Sequence, residues 1–158
     1  MNTETPLELL RKQPFVKGLK DHEVEMLGAL AKEVRFPAER ILFGEGELGT
    51  DFYLILSGLV SLEIAPPSGV CRVDTLGAGD EMGWSSVIGE DTVFQGRVLQ
   101  DLHALAFDAA ALRALCDEDT AFGYRLMRRV LGVVADRLQA TRLLVMDSYW
   151  PVAKKAGA

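Results

Sequence analysis

The sequence predicts a mainly β member of the α+β class, an eight-stranded antiparallel β-roll of the jelly-roll or double-stranded β-helix type. Short apolar segments recur between turn sequences from about residue 34 to 107, whereas helical periodicity is confined to the two flanks. Most of the 15 glycines fall in the central region, as tight corners between strands require. The 158 residues therefore predict a single domain over about 1–150.

Composition narrows the range of functions. The chain is 49% apolar and carries a net charge of −6, which gives no general attraction for nucleic acid. No apolar run approaches the roughly 20 residues that cross a bilayer, and the first residues lack the pattern of a signal peptide. We therefore expect a cytoplasmic protein without membrane contact. Two histidines are too few for the metal site that some β-rolls carry, so no metal is predicted.

The N-terminal flank, about 6–33, has helical character. Asp21 is a suitable N-cap for a helix over about 22–33, because Val24, Leu27 and Leu30 follow at helical spacing. His22 lies in the polar first turn, where a solvated side chain is the simpler interpretation. Cys71 and Cys116 have no nearby cysteine partner in sequence and are interpreted as free thiols.

The β-roll is predicted over about 34–107. Its apolar segments are separated by glycine- or proline-containing turns, which favours antiparallel strands over alternating strands and helices. The predicted segments are 34–36, 40–43, 52–56, 60–64, 70–73, 95–99 and 103–107.

Helical periodicity resumes over about 108–147. Asp108 caps a short helix, and a long helix follows from Asp119 or Thr120. Apolar residues recur along it at spacings of three and four, which predicts a homodimer seam or a face packed on the roll. The seam residues are Met127, Val130, Val134, Leu138, Thr141 and Val145. The tail, 151–158, is predicted to be frayed.

The stretch 76–99 is the candidate site. A glycine-punctuated turn precedes a short segment that begins at Gly83 and contains Ser85 and Ser86, and a second polar turn follows. Glycine permits a backbone turn and close approach of amides to a ligand, and a helical turn with hydroxyl residues at its start can bind an anion. Its position between strands predicts a ligand cradle.

The order of elements resembles the cyclic-nucleotide-binding domain of the catabolite-activator/Fnr (Crp/Fnr) family over about residues 13–147. Residues 41–58 look like the family's second and third strands with their turn, and 76–83 resemble the run into its phosphate-binding cassette. Residues 137–142 resemble the end of its dimerisation helix, where a threonine can meet the purine. The resemblance implies ligand-binding positions at Gly83, Trp84, Ser85, Ser86, Thr92 and Val93.

Two of these positions depart from the members that bind cyclic AMP. Those members have a glutamate that accepts the ribose hydroxyl proton and an arginine that pairs with the cyclic phosphate. Trp84 stands at the glutamate position, and Thr92 falls at the arginine position. Loss of one charge-assisted pair lowers affinity by about a hundredfold. Arg97, Thr141 and Arg142 are the candidates for replacement phosphate or purine contacts.

Trp84 has two interpretations. Its ring either fills the emptied cassette, which makes the domain independent of ligand, or provides a stacking platform for a different planar ligand or a haem. A haem requires an axial ligand, for which His103, Cys71 and Met82 are the nearby candidates. No cofactor is assigned by the sequence, and a cyclic nucleotide stays a candidate ligand.

The sequence is interpreted as a stand-alone sensory or regulatory module that signals through a dimer helix to a partner protein. The alternatives are a degenerate, ligand-free interaction or dimerisation module and a binder of a different small ligand. Only about ten residues follow the long helix, so no helix-turn-helix is expected and DNA binding by this chain is not predicted. No nucleophile stands with a base, and Asp80 and Glu81 are interpreted as a solvated pair, so no enzyme is predicted.

Overall fold

The computed structural model describes residues 3–65 and 67–156, with side chains as far as residue 147. Helices flank an antiparallel sheet, which confirms the predicted fold class. The helices are α1 (Pro6–Arg11), α2 (Asp21–Leu30), α3 (Trp84–Ile88), α4 (Ala109–Glu118) and α5 (Thr120–Ala156), with a 3-10 turn at Pro14–Val16. The strands are β1 (Ala31–Phe36), β2 (Ile41–Phe43), β3 (Asp51–Ile64), β4 (Cys71–Leu76), β5 (Glu81–Met82) and β6 (Gln95–Asp108).

Two long strands organise the sheet. β3 and β6 pair antiparallel from Asp51 opposite Asp108 to Glu63 opposite Gln95. The main path of the sheet is β1-β6-β3-β4, with β2 added to β6 and β5 added to β3. Every other strand is therefore attached to one of these two.

The sequence predicts eight strands, and this number is corrected to six for the described residues. The segments predicted at 52–56 and 60–64 belong to the single strand β3, and those at 95–99 and 103–107 belong to β6. The pairing shifts register between Ile55 and Ser57 and again on both sides of Leu59. Such bulges bend a strand without ending its ladder, so the glycine-containing sequence that resembles a turn is an internal bend.

The two faces of β3 contribute to different apolar clusters. Phe52 and Leu54 pack with the helices, whereas Tyr53 and Ile55 lie in the cluster between the folded parts of the sheet. This is the period-two alternation of a strand buried on both faces. The helix-side cluster includes Phe15, Leu27, Phe107, Leu112, Phe122 and Leu126, and the sheet-side cluster includes Val60, Leu62, Leu76, Val98 and Leu102.

Two helix caps can be compared with the prediction. The α2 N-cap is Lys20, whose backbone N–H donates to Glu23 Oε1 at 2.8 Å, so Asp21 lies in the first turn instead. The helix ends at Leu30 because Ala31 is extended and pairs with Phe107, and tertiary pairing overrides the helical propensity of 31–33. The Asp108 cap is confirmed, since Ala111 N–H donates to its carboxylate at 3.0 Å.

Helix α5 continues to Ala156, beyond the predicted end at about 147 and into the tail expected to be frayed. Pro151 lies within this helix. A proline removes one intrahelical hydrogen bond but does not have to end a helix. Residues 157–158 lie outside the described residues. Within the described part of the chain, no helix combines the length and apolar character that a membrane span requires.

A buried ion pair connects α5 to α2. Glu23 is fully buried, and Arg125 donates to both of its carboxylate oxygens, with Nε–Oε1 at 2.8 Å and Nη2–Oε2 at 2.6 Å. The hydrogen bonds from Arg125 lower the pKa of the Glu23 carboxyl against the opposing effect of its burial. The pair therefore holds the start of the long helix against the N-terminal helices.

We expect Glu23→Gln to lower the free energy of unfolding by about 2 to 4 kcal/mol, because it leaves a partly buried guanidinium without its carboxylate. The measurement is chemical denaturation at neutral pH. Since the folded-state pKa lies below the ordinary 4.5, the pair stabilises above that pH and loses its contribution as pH falls through the lowered value. The variant should therefore show a weaker loss of stability on acidification.

Glu25→Gln is the matched control on the same helix. Glu25 pairs with Arg11 at 3.5 Å between two exposed side chains, and such pairs contribute less than about 1 kcal/mol. Equal effects of the two substitutions would contradict a special role for the buried pair.

Candidate functional site

Gly83 sets the direction in which α3 leaves the sheet. Its φ is +85°, and a Cβ at this position would lie 2.5 Å from the Asp51 carbonyl oxygen. Only glycine adopts this conformation without a steric penalty and allows the backbone of β3 to approach this closely. The cassette predicted from the sequence is therefore a helical turn, α3, pressed against the start of β3.

The two serines after Trp84 are buried at the start of α3. Ser86 Oγ donates toward the carbonyl oxygens of Gly83 at 2.6 Å and Asp51 at 2.9 Å, and the Ser86 carbonyl accepts from Arg113. The Ser86 hydroxyl therefore holds α3 in place. Ser85 Oγ has no hydrogen-bond partner among the described residues, although its backbone carbonyl accepts from Glu90 N–H at 2.9 Å.

Thr92 connects the cassette to the turn before β3. Its hydroxyl donates to the Gly44 carbonyl and accepts from Glu47 N–H at 3.2 Å. Its backbone N–H donates to the Glu47 carbonyl at 2.8 Å. The side chain at the position where the resemblance places an arginine is thus occupied in holding two loops together.

Trp84 is half-buried and packs against the helix-side core. Its ring also lines a cavity of about 10 Å³ between the cassette and the sheet. A volume of this size is close to that needed for one water molecule. The other lining residues are Phe43, Leu62, Met82, Gly83, Ser85, Thr92, Val93, Phe94 and Arg137.

Arg137 is the site residue that the sequence reasoning missed. It is 6% exposed and donates to the Asp74 carboxylate at 3.2 Å and to the Glu81 carbonyl at 2.8 Å. Its Nε is buried without a hydrogen-bond partner among the described residues. A signal existed, because position 137 continues the inward stripe formed by Val130 and Val133, and a charge in such a stripe requires a buried partner.

Acidic groups surround this guanidinium. Burial, followed by the charge of Asp80, raises the pKa of the Glu81 carboxyl, and Arg137 opposes the shift.

A neighbouring depression of about 160 Å³ is lined in part by Glu47, Asp51 and Tyr53. Burial and the adjacent Asp51 raise the pKa of Tyr53 to about 12. The surroundings of the cassette are therefore unfavourable to an anion.

Several predicted contact residues lie away from the cavity. Arg97 Nε donates to Glu63 at 3.3 Å, in a network with Gln95. Thr141 Oγ1 donates to the Arg137 carbonyl at 2.9 Å, and Arg142 reaches Gln139 at 3.5 Å. None of the three lines the cavity beside Trp84, so within one chain the structure does not bring them to the cassette.

The haem-ligand candidates are also separated. Met82 lines the cavity beside Trp84. His103 instead lies 2.5 Å from the Glu33 carboxylate, on the β1–β6 pair. Cys71 begins β4 and donates its thiol to the Arg72 carbonyl at 3.8 Å. Among the described residues, no three metal-ligating side chains are grouped closely enough to hold a metal ion.

The predicted seam on α5 divides between two faces. Val130 is 3% exposed and belongs to the helix-side core, so its inclusion in the seam is corrected. Met127, Val134 and Thr141 are half-buried. The outward apolar face is formed by Tyr124 (64% exposed), Leu131 (66%), Leu138 (70%) and Val145 (49%). Tyr124 and Leu131 were missed, although their seven-residue spacing from Leu138 is visible in the sequence.

Gly83→Ala should lower the free energy of unfolding by about 2 kcal/mol or more, because it combines a left-handed backbone with a collision at Asp51. Gly89→Ala is the matched control at the other end of α3, with φ +76° and nothing within 4 Å of an added Cβ. It should cost only the left-handed backbone penalty of about 1 kcal/mol. Thermal and denaturant unfolding provide the comparison, and equal losses would show that the collision does not matter.

The chain is similar to a regulator from Mycobacterium tuberculosis described as a CRP-like cAMP-activated global transcriptional regulator. The two are 27% identical over 147 residues, which cover 89% of this chain and 62% of the relative. The chain thus spans less than two thirds of the length of this relative. A second relative, a cGMP-dependent protein kinase from Toxoplasma gondii, is 35% identical over 75 residues, 48% of this chain and 7% of the kinase.

Solved structures show the same fold. A protein from Geobacter metallireducens, provisionally assigned as cyclic nucleotide-binding, has a TM-score of 0.76 with 26% identity, over 86% of this chain and 99% of that one. The Thermus thermophilus catabolite activator protein has a TM-score of 0.69 with 24% identity, over 87% of this chain and 64% of that one. The latter likeness shows the fold alone.

The sequence model of the cyclic nucleotide-binding domain matches residues 33–119, which is more than half of the chain. This range contains the sheet apart from the first two residues of β1, together with the cassette helix α3 and α4. The resemblance read from the strand and cassette sequences is thereby confirmed, and the chain belongs to the cyclic nucleotide-binding domain family.

Proposed function

We propose that this chain is a dimeric regulatory module of its family whose cassette is filled by its own Trp84 instead of by a cyclic nucleotide. The observation that carries the proposal is the cavity of about 10 Å³ beside the indole. Sites for small organic ligands have volumes of roughly 300 to 1,000 Å³. The regulatory output would then depend on contacts with other proteins.

The polar side chains of the cassette also support this proposal, because they do not fit a cyclic nucleotide. The position of the ribose-binding carboxylate is Trp84, and the threonine hydroxyl at the phosphate-binding position already bonds to the Gly44 carbonyl. Arg137 is the guanidinium that remains beside the cavity, and Asp74 partly neutralises it. A phosphate entering here would meet backbone amides and acidic neighbours. It would not meet an unpaired guanidinium that could form two parallel hydrogen bonds with it.

Tryptophan fluorescence tests the proposal directly. In a Trp150→Phe background, which isolates Trp84, titration with cyclic AMP and cyclic GMP should give a flat signal up to millimolar concentration. The M. tuberculosis relative described as cAMP-activated is the positive control for the nucleotide stock and conditions. Saturation at low micromolar nucleotide would overturn the proposal.

A stability measurement separates the two interpretations of Trp84. If the ring fills the cassette, Trp84→Ala should lower the free energy of unfolding by about 2 to 4 kcal/mol. Ile88→Ala is the control on the same helix, at an exposed side chain, and should change stability by less than about 1 kcal/mol. A negligible effect at Trp84 would favour a platform for a ligand over a filler.

The dimer part of the proposal is supported by the outward face of α5. Tyr124, Leu131 and Leu138 are exposed at seven-residue intervals, and Met127 and Val134 follow three residues after the first two. This is the a/d pattern of a two-stranded coiled coil. An exposed apolar stripe of this length favours burial against a second copy of the same helix.

Sedimentation at micromolar concentration should show a dimer for the unaltered chain. The double variant Leu131→Asp/Leu138→Asp should be a folded monomer, because each aspartate would place a charge in the apolar seam. Val70→Asp, at an exposed apolar residue before β4, is the control and should leave the dimer intact. A monomeric unaltered chain would contradict the assignment of this face.

A second candidate function is a sensor for a different small ligand. The unpartnered Nε of Arg137 favours it, because a ligand atom that accepts a hydrogen bond there would satisfy a buried donor. Such a ligand would have to displace the Trp84 ring. A small-molecule screen that follows Trp84 fluorescence tests this candidate, with Arg137→Lys as the variant that should abolish any response.

A further inference from the structure

A cationic cleft lies between the N-terminal segment and the first half of α5. Its volume is about 280 Å³, and it shares no residue with the cassette cavity. One side is the turn that follows the 3-10 segment, and the other is a face of the long helix. The lining residues are Lys17, Gly18, Leu19, Arg125, Arg128 and Arg129.

Arg129 is held rigidly at this cleft by carbonyl and ring contacts, and its charge also acts to lower the pKa of the Glu81 carboxyl. Its Nε donates to the Phe15 carbonyl at 2.9 Å, and Nη2 donates to the Pro14 carbonyl at 3.0 Å. The guanidinium carbon also lies 5.8 Å from the centre of the Phe15 ring. Carbonyls and a ring fix the orientation of the group, and no carboxylate among the described residues pairs with it.

The other cations of the cleft differ in their partners. Arg125 is compensated by the buried Glu23. Arg128 contacts the Tyr124 ring, 5.9 Å from its centre, and neither Arg128 nor Lys17 forms an ion pair with a described residue. Three cations that form no salt bridge with a described residue, Lys17, Arg128 and Arg129, therefore line one cleft in a chain whose net charge is −6. Like charges that line one cleft repel each other, so their convergence favours a bound anion.

We infer that this cleft binds a phosphate monoester. Guanidinium groups bind phosphate through parallel N–H···O bonds, and a lysine adds a mobile point charge. A phosphate monoester carries close to two negative charges in a small volume at neutral pH, which matches several cations converging on one compact cleft. A peptide of aspartates and glutamates would spread the same charge along an extended surface.

The neighbouring surface provides room for whatever carries the phosphate. A second depression, of about 540 Å³, lies beyond the Lys17–Leu19 turn and shares that turn with the cleft. Apart from the shared Lys17, its basic residues Arg11 and Lys12 are paired with Glu25 and Glu4. The charge is thus concentrated in the cleft, whereas the second depression can receive the neutral remainder of a phosphorylated peptide.

Occupation of the cleft would connect two parts of the fold. The anion would bridge the turn at Lys17 and the helix at Arg128, next to the existing contacts of Arg129 with the 3-10 segment. It would therefore fix the base of α5, the helix that carries the proposed dimer face. This inference does not depend on whether the cassette binds a ligand.

The test uses the full chain labelled with ¹⁵N and three probes: a neutral peptide with one phosphoserine, the same peptide unphosphorylated, and inorganic phosphate. Amide shift changes report where each probe binds. We expect saturable changes at Gly18, Leu19 and Arg128 with the phosphopeptide and none with its unphosphorylated form. The affinity should fall as salt rises from low to physiological concentration.

The variant Lys17→Ala/Arg128→Ala should weaken binding by at least tenfold, since it removes two of the converging charges. Arg142→Ala removes the same type of charge from an exposed position on α5 outside the cleft and should bind normally. Both side chains of the test variant are surface groups without ion pairs, and a thermal melt checks that the variant is folded.

Each outcome decides the inference. Binding of the phosphopeptide in preference to inorganic phosphate supports the site and identifies a phosphorylated protein as the source. Equal binding of inorganic phosphate supports the site with a free anion as the source. Equal binding of the unphosphorylated peptide, equal weakening by Arg142→Ala, or no shift at millimolar probe overturns it. None of these results depends on Trp84, so a nucleotide response in the cassette would leave this test unaffected.

Discussion

The antiparallel pairing of β3 with β6 is the interaction on which the rest of this structure depends. The two strands form the continuous ladder to which β1, β2, β4 and β5 are attached. The bulges near Leu59 bend the ladder. Its Asp51–Asp108 end contributes to both apolar clusters, whereas its other end contributes to the sheet-side cluster. The start of β3 also supplies the carbonyl against which Gly83 packs. The position of the cassette is therefore a consequence of the strand pairing.

Three arginines attach α5 to the sheet and to the N-terminal segments, and so fix its position. Arg125 pairs with Glu23 on α2, and Arg129 bonds to the carbonyls of the 3-10 segment. Arg137 reaches both β4 and β5 through Asp74 and the Glu81 carbonyl. The three successive attachments leave the apolar stripe on the opposite face exposed. A displacement of any attachment would therefore change the orientation of that stripe.

Much of the fold could be predicted from local sequence, because strand periodicity and turn residues are local signals. The strand count could not, since the sequence at Ser57–Gly58 is suited equally to a turn and to a bulge, and only the long-range pairing selects between them. The same limit applies to Asp21, which has the chemistry of a cap, although the geometry places Lys20 there. Local chemistry gives the type of an element more reliably than its exact end.

The candidate site was predictable in part. The cassette positions followed from a resemblance in sequence, and the structure places Gly83, Trp84 and Thr92 around one cavity. Its small volume could not be predicted, because it depends on how Phe43, Phe94 and the indole pack together. The role of Arg137 also required the structure, since its partners lie on strands more than 50 residues earlier in the chain. The cationic cleft similarly arises where segments distant in sequence meet.

The constraint at Gly83 has a consequence for how this kind of domain diversifies. A side chain at this position costs free energy, so substitution of Gly83 is disfavoured and the direction in which the chain enters α3 is fixed. The next residue then projects from a fixed point, and its identity can be exchanged without rebuilding the surrounding backbone. The side chain at position 84 therefore sets the chemistry of the cassette without moving it, although a nucleotide site would also require a change at Thr92, which holds two loops together.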